Sequence, residues 1–288
     1  MDPRIAVVIA TRDRAPDLLC TLERLRALPE RPALYVVDTG SSDGTPELVR
    51  RRFPDVAVLH ASPGEGPAAR TAGVRATQAP FVAFCDDDSW WEPGALSRAA
   101  DVLEAHPDVG LLAARVMLAG DRLEPTCGEM ARGRPTARPG LPGPAIGGFV
   151  ACGAVVRREA YLAAGGFPPE WPFGGEEQPL VVALLDRGWE LVYVPSVVAQ
   201  HRPSARRDRA ARAAFTARND LRMAWERRAP RAALAITAGS LRRALGDPHH
   251  RRGVLRALRE LPSALRRRAR ASSRAERRLA ELAFPRSS

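Results

Sequence analysis

Lysine is absent from this chain of 288 residues, so arginine alone supplies all 44 basic side chains. The total of arginines therefore says little, and only their distribution along the chain is informative. Cysteine is sparse. Cys20, Cys85, Cys127 and Cys152 lie far apart with no CxxC pair, which excludes a disulfide framework or zinc site and points to a reducing compartment. No segment approaches the ~20 apolar residues that a membrane span requires, and Met1 to Ala10 lacks the long apolar stretch and cleavage site of a secretory leader. A soluble or peripheral cytoplasmic protein is expected, peripheral meaning the inner face of the plasma membrane. With 45% hydrophobic residues the chain can bury one large core or two modest ones, which excludes a disordered protein.

Charge divides the chain at His201. Residues 1–201 hold 20 Arg and 26 Asp plus Glu, net −6, whereas residues 202–288 hold 24 Arg and 7 acids, net +17. An acidic front part needs cations beside any anionic ligand, and a basic tail suits phosphate-bearing surfaces.

Short β-rich apolar runs occur at Ile5 to Ala10, Leu34 to Asp38, Val56 to His60 and Phe81 to Cys85, separated by segments with helical spacing. Buried parallel strands read this way. Leu18, Leu19, Leu22, Leu25 and Leu28 keep helical spacing, and Thr45-Pro46-Glu47 supplies a cap, a first-turn proline and an acid for the helix dipole. Such alternation predicts a mostly parallel α/β sheet whose ligand crevice lies beyond the carboxyl ends of the strands. Gly120 to Gly148 reads as a long irregular connection. A strand over 149–157, a helix ending near Gly165-Gly166, a helix over 178–187 and a strand over 191–198 follow, and from Ser204 the pattern is helical.

The sharpest local signal is Asp86-Asp87-Asp88 directly after the apolar run Phe81 to Cys85. Three adjacent carboxylates repel unless cations are near, and hard oxygen ligands at a strand end suit Mg²⁺ or Mn²⁺ completed by substrate phosphates. A solvated acidic loop with Asp88 as a helix cap is the alternative. Asp38 likewise ends a strand and enters Thr39-Gly40-Ser41-Ser42-Asp43-Gly44-Thr45, where glycines let the backbone approach a ligand.

These runs, together with Val7-Val8-Ile9-Ala10-Thr11-Arg12-Asp13-Arg14, resemble the inverting family 2 glycosyltransferases of the GT-A fold. The resemblance covers about residues 4 to 201. It implies a Rossmann-like catalytic domain over 1–203 followed by a basic helical extension over 204–288. It further implies a donor site built from Thr11, Arg12, Asp13, Asp38, Gly40, Ser41, Asp86 and Asp87, with Asp86 and Asp88 holding Mn²⁺ or Mg²⁺. Gly66-Pro67-Ala68-Ala69-Arg70-Thr71-Ala72-Gly73 resembles the family's helix start whose arginine lies near the donor, with Thr71 in place of the usual asparagine, and Arg70 joins the donor set. Gly165-Gly166-Phe167 and Gly174-Gly175-Glu176-Glu177 resemble the elements that supply the general base, which assigns that role to Glu177 with Glu176 beside it. The alternative for both is the acidic first turn of a helix. His201 matches a late strand-end histidine that helps hold metal in some relatives. Trp90, Trp91, Trp171 and Phe173 neighbour the acidic motifs and suit either sugar stacking on the acceptor side or core packing.

The expected reaction moves a sugar from a UDP-, dTDP- or GDP-sugar to the hydroxyl of a saccharide, a lipid-linked acceptor or a small molecule. A binding or scaffold protein that has kept the fold but lost turnover is the alternative, against which the intact Asp86, Asp88 and Glu177 speak. A sugar-phosphate nucleotidyltransferase is excluded because no Gly-rich loop with a following lysine comes after Ile5 to Ala10. Nucleic acid is not an expected partner, since no zinc-finger or RNP-type motif is present. In the tail, apolar residues recur at helical spacing between arginines, a pattern that can lie on anionic lipid.

Overall fold

The computed structural model describes residues 2–133, 140–169, 171, 174–203 and 209–282. The four apolar runs are strands: β1 (Ile5–Thr11), β2 (Ala33–Asp38), β3 (Ala57–His60) and β4 (Phe81–Cys85). They lie parallel in the order β3-β2-β1-β4. The connections carry α1 (Ala15–Arg26), α2 (Thr45–Arg52) and α3 (Arg70–Ala76). Because side chains alternate across a strand, Ile5, Val7 and Ile9 enter one core with Leu18, Leu22 and Leu25 of α1, while Val8 enters the opposite core with Val74 of α3. Both faces of the sheet are covered, which is why these strands are apolar throughout.

Beyond β4 the chain adds β5 (Ser89–Trp91), α4 (Ala95–Ala105), β6 (Val109–Leu118), β7 (Arg122–Leu123) and α5 (Pro125–Ala131). Then come β8 (Ala154–Arg157), α6 (Arg158–Ala163), α7 (Glu177–Asp186) and β9 (Glu190–His201). The sheet continues past β4 as β8-β6-β9-β5, with β7 on β6. Here β8 runs antiparallel to both its neighbours, β6 pairs with β9 in parallel, and β5 is antiparallel to β9. The fold is thus α/β with a parallel half that carries the ligand crevice and a mixed half that supports it.

Two local expectations change. The strand over 149–157 shrinks to β8 because Ala151–Gly153 forms a 3-10 turn, and a Cβ on Gly153 would lie 2.3 Å from Val116 Cγ2. The stretch from Gly120 to Gly148 holds β7 and α5, pinned by the buried Cys127 and Met130.

The tail is helical, as its pattern indicates: α8 (Arg209–Arg227), α9 (Pro230–Gly246), α10 (Pro248–Arg266) and α11 (Ser273–Glu281). Leu221, Ala244, Val254 and Ala257 form a small core between α8, α9 and α10. Gly253 lets α10 approach α8 closely, since a Cβ there would lie 2.2 Å from the Ala214 carbonyl oxygen. The last helix returns to the sheet. Ala275, Leu279 and Leu282 are buried in the same core as Leu180 and Leu184 of α7, and Arg278 pairs with Glu190 of β9 at 2.5 Å. Among the described residues no helix is long and apolar enough to cross a membrane.

Leu279→Ala should cost about 2–4 kcal/mol in urea unfolding, as a large-to-small change in a packed core does. Leu245→Ala, at a side chain 86% exposed, should stay within about 0.5 kcal/mol.

Candidate active site

The carboxyl ends of β1, β2 and β4 open on a cleft of about 390 Å³ lined by Thr11, Arg12, Arg14, Thr39, Gly64, Gly66, Arg70 and the three aspartates 86–88. The acidic triplet forms a tight turn between β4 and β5. Ser89 fixes it, its hydroxyl accepting from the Asp86 N–H at 2.8 Å while its own N–H donates to the Asp86 carbonyl at 3.2 Å. The antiparallel pairing of β5 with β9 sets His201 opposite Ser89. That register brings His201 Nε2 to 3.2 Å from Asp88 Oδ1, with both side chains buried.

Two arginines hold the charge of the triplet in check. Arg14 reaches Asp87 at 3.3 Å and Asp88 at 3.2 Å. Arg70, the first residue of α3, meets Asp86 at 2.5 Å with its side chain only 3% exposed. Burial works against the Arg70 charge, but Asp86 and then Glu176 overcome it and raise its pKa above the ordinary value. Its Nε and Nη1 are buried without a hydrogen-bond partner, and unsatisfied donors of this kind are costly. Asp87 meets both Arg14 and the Thr11 hydroxyl. Burial pushes its carboxyl up to about 6, Arg14 pulls it back, and Asp88 and Asp86 raise it further. Its Oδ2 accepts from the Thr11 hydroxyl at 3.1 Å.

Asp38 is buried at the end of β2, where its Oδ2 accepts from the N–H groups of Gly40 and Ser41, both at 3.1 Å, and its Oδ1 has no partner. Gly40 adopts φ +86°, and a Cβ there would lie 2.9 Å from Pro63 Cγ. Asp13 acts as a staple between the two strand ends. Its N–H donates to the Ser41 hydroxyl at 2.9 Å and its Oδ1 accepts from the Ser42 N–H at 2.6 Å. Asp13 and Ser41 therefore shape the loop with these groups, while Arg12 is exposed on the cleft wall.

The glutamate pair is carried at the N-terminus of α7. Glu176 is buried, its Oε2 accepts from the Gly174 N–H at 2.6 Å, and its charge acts on Arg70. Glu177 is half-buried at the first turn of α7. Asn219 of α8 holds this turn from behind, donating to the Gly174 carbonyl at 2.6 Å, and Arg218 donates to Asn219 Oδ1 at 2.8 Å while pairing with Glu260 at 2.6 Å. Beneath the cleft, Phe84, Tyr161 and Phe167 pack with ring centroids 5.4 to 5.8 Å apart. Gly166 is required there, because a Cβ would lie 2.7 Å from Thr71 Oγ1.

Of the aromatics for which sugar stacking and core packing were both open, two take the core. Trp91 is fully buried in the core with Ile9 and Leu22, and Trp171 is buried in the opposite core, so neither presents a sugar-stacking face. Trp90 is half-buried and lies between Arg24, 3.8 Å from its ring centre, and Arg202 at 5.2 Å. Phe173 lies outside the described residues. Cys152 was not among the expected ligands, yet its sulfur, an Asp86 carboxylate oxygen and a His201 ring nitrogen lie within 4.8 Å of one another. Only the sheet topology reveals this, since the three are 66 and 49 residues apart in sequence. Burial, and then Asp86, hold the Cys152 thiol well above its ordinary pKa.

The sequence profile of Glycosyl transferase family 2 matches residues 6–163, more than half of the chain. The chain belongs to glycosyl transferase family 2. It is a glycosyltransferase, using a nucleotide sugar as donor. An N-acetylglucosaminyl-diphospho-decaprenol L-rhamnosyltransferase from Mycobacterium tuberculosis is 27% identical over 237 residues, covering 68% of this chain and 75% of that protein. A pre-mycofactocin glycosyltransferase from the same species is 31% identical over 251 residues, covering 82% of this chain and 51% of that one. A mannosyltransferase from Pyrobaculum calidifontis, solved with GDP-Man and Mn²⁺, shares the GT-A fold with a TM-score of 0.55 at 21% identity, over 100% of this glycosyltransferase and 78% of that chain.

Asn219→Ala should destabilise this glycosyltransferase by about 1–3 kcal/mol, because it leaves the Gly174 carbonyl and an Arg218 donor unsatisfied in a buried place. Urea unfolding of the purified variant measures this, and a change below about 0.5 kcal/mol would show that the turn before Glu176 is held by something else.

Proposed function

We propose that the enzyme is an inverting, metal-dependent transferase that moves a sugar from a UDP-, dTDP- or GDP-sugar to an acceptor hydroxyl. The observation that carries this reading is Arg70. A guanidinium that lines the cleft, pairs with Asp86 and has two further buried N–H groups without a partner in the protein carries fixed positive charge suited to an anionic group such as a nucleotide's diphosphate. The buried, unpartnered Oδ1 of Asp38 similarly suits an N–H of the nucleobase.

The donor set fits a divalent cation. Asp88, Asp86 and His201 offer carboxylate oxygens and an imidazole nitrogen close together, a combination suited to Mn²⁺, and the Cys152 sulfur adds a softer atom at its edge. A bound Mn²⁺ or Mg²⁺ supplies Lewis-acid stabilisation of the departing diphosphate. Arg70 adds fixed positive charge aimed at the same developing charge. Glu177 is the general base: it takes the proton of the acceptor hydroxyl as that oxygen attacks the anomeric carbon opposite the leaving group. Its half-buried position at the start of α7 supports this over Glu176, which is buried. The Mycobacterium tuberculosis rhamnosyltransferase is named for a sugar carried on a diphospho-decaprenol. That favours a lipid-linked acceptor here over a free saccharide or small metabolite.

Asp88→Ala should abolish transfer, by at least about 10³-fold, with an unchanged circular dichroism spectrum. Glu177→Gln should lower kcat by about 10²–10⁴-fold with little change in donor affinity, and a variant with wild-type kcat would exclude Glu177 as the base. Since the Asp87 carboxyl is held up to about 6 in the cleft, a proton competes with the cation below that pH. Mn²⁺ affinity should therefore fall as pH drops from 7 to 5, with proton release on binding, as measured by titration calorimetry in buffers of different ionisation enthalpy. A pH-independent Mn²⁺ affinity would remove Asp87 from the cation's surroundings.

A further inference from the structure

Large apolar side chains exposed singly on a surface are ordinary. Here six of the seven exposed among the described residues fall on two consecutive helices: Leu234, Leu241 and Leu245 on α9, and Leu255, Leu258 and Leu265 on α10. At helical periodicity each trio forms one stripe along its helix. On α10 the stripe lies away from Gly253, Ala257 and Ala264, which face the rest of the protein, and borders Val254, which is buried with Leu221 and Ala244. The apolar faces of α8 and α11 are taken up inside the molecule, through Leu221 and Met223 and through Ala275 and Leu279. Among the described residues of the tail, the exposed leucines of α9 and α10 thus form the apolar stripes that remain open to a partner.

The charge beside these leucines says which partner. The α9 sequence has no acidic residue and α10 has only Glu260, which Arg218 and Arg256 already neutralise. Arg242, Arg243, Arg251, Arg252, Arg259 and Arg266 are exposed. A second copy of the same face would bring arginine against arginine. We propose that the α9–α10 hairpin docks on an anionic phospholipid bilayer, its leucines entering the headgroup and acyl boundary and its arginines meeting lipid phosphates. The docking does not depend on sugar transfer and is read without it.

The full chain is sedimented with vesicles of phosphatidylglycerol and with vesicles of phosphatidylcholine. Binding to phosphatidylglycerol should be at least about ten-fold tighter and should weaken with added salt. Leu255→Asp/Leu258→Asp/Leu265→Asp should reduce that binding at least about ten-fold. Leu234→Asp/Leu241→Asp/Leu245→Asp should also reduce it, and both variants should keep the wild-type thermal midpoint because the positions are exposed. Three results would overturn the proposal: wild-type protein that stays in solution at low salt, leucine variants that pellet as the wild type does, or a lipid-free dimer that either variant converts to monomer. The second would reduce the effect to charge alone, and the third would assign the face to a second copy.

Discussion

Everything at the cleft depends on keeping three adjacent carboxylates together at the end of a buried strand. Asp86, Asp87 and Asp88 would push one another apart or take up protons if nothing opposed them. Arg14 and Arg70 oppose them from two sides, and each is delivered by a different part of the parallel half-sheet: Arg14 just after β1 and Arg70 at the start of α3. The geometry of the fold and the charge balance of the site are therefore one constraint. Burial pushes the Asp87 carboxyl up to about 6 against the pull of Arg14, so a further positive charge beside it is favourable.

The mixed half of the sheet contributes differently. By running back along β9, the chain returns His201 to Asp88 through strand register. The helical tail then braces the glutamate turn through Asn219 and closes the core behind α7 with α11. The tail is thus tied to the rest of the molecule through its first and last helices, while the outer faces of α9 and α10 between them remain open.

The parallel strands and the acidic triplet were legible in the sequence because fully buried strands and charged strand ends have strong local signatures. Asp38 and Asp86 stand at the ends of apolar runs that read as strands, whereas Arg70 enters the donor set only through the resemblance of Gly66 to Gly73 to the family's helix start. The approach of Cys152 to Asp86 and His201 was not, since an isolated cysteine in an apolar run reads as core and only the placement of β8, β4 and β9 reveals its neighbours. For Trp91 and Trp171 the sequence left sugar stacking and core packing open, because adjacency to an acidic motif says nothing about which side of the sheet a ring enters, and both rings take the core. The α5 helix was hidden by the Pro and Gly around it, although its buried Cys127 and Met130 are spaced as one helical face. The return of α11 was hidden because an Arg-rich segment with a narrow apolar stripe looks the same whether that stripe meets water, lipid or its own protein.

The most direct measurement is the anomalous scattering of Mn²⁺ in crystals grown with a nucleoside diphosphate. The account predicts a peak bonded to Asp88, within reach of His201, with the diphosphate between it and Arg70. A nucleotide bound in the cleft with no cation at Asp88, or a diphosphate turned away from Arg70, would contradict it.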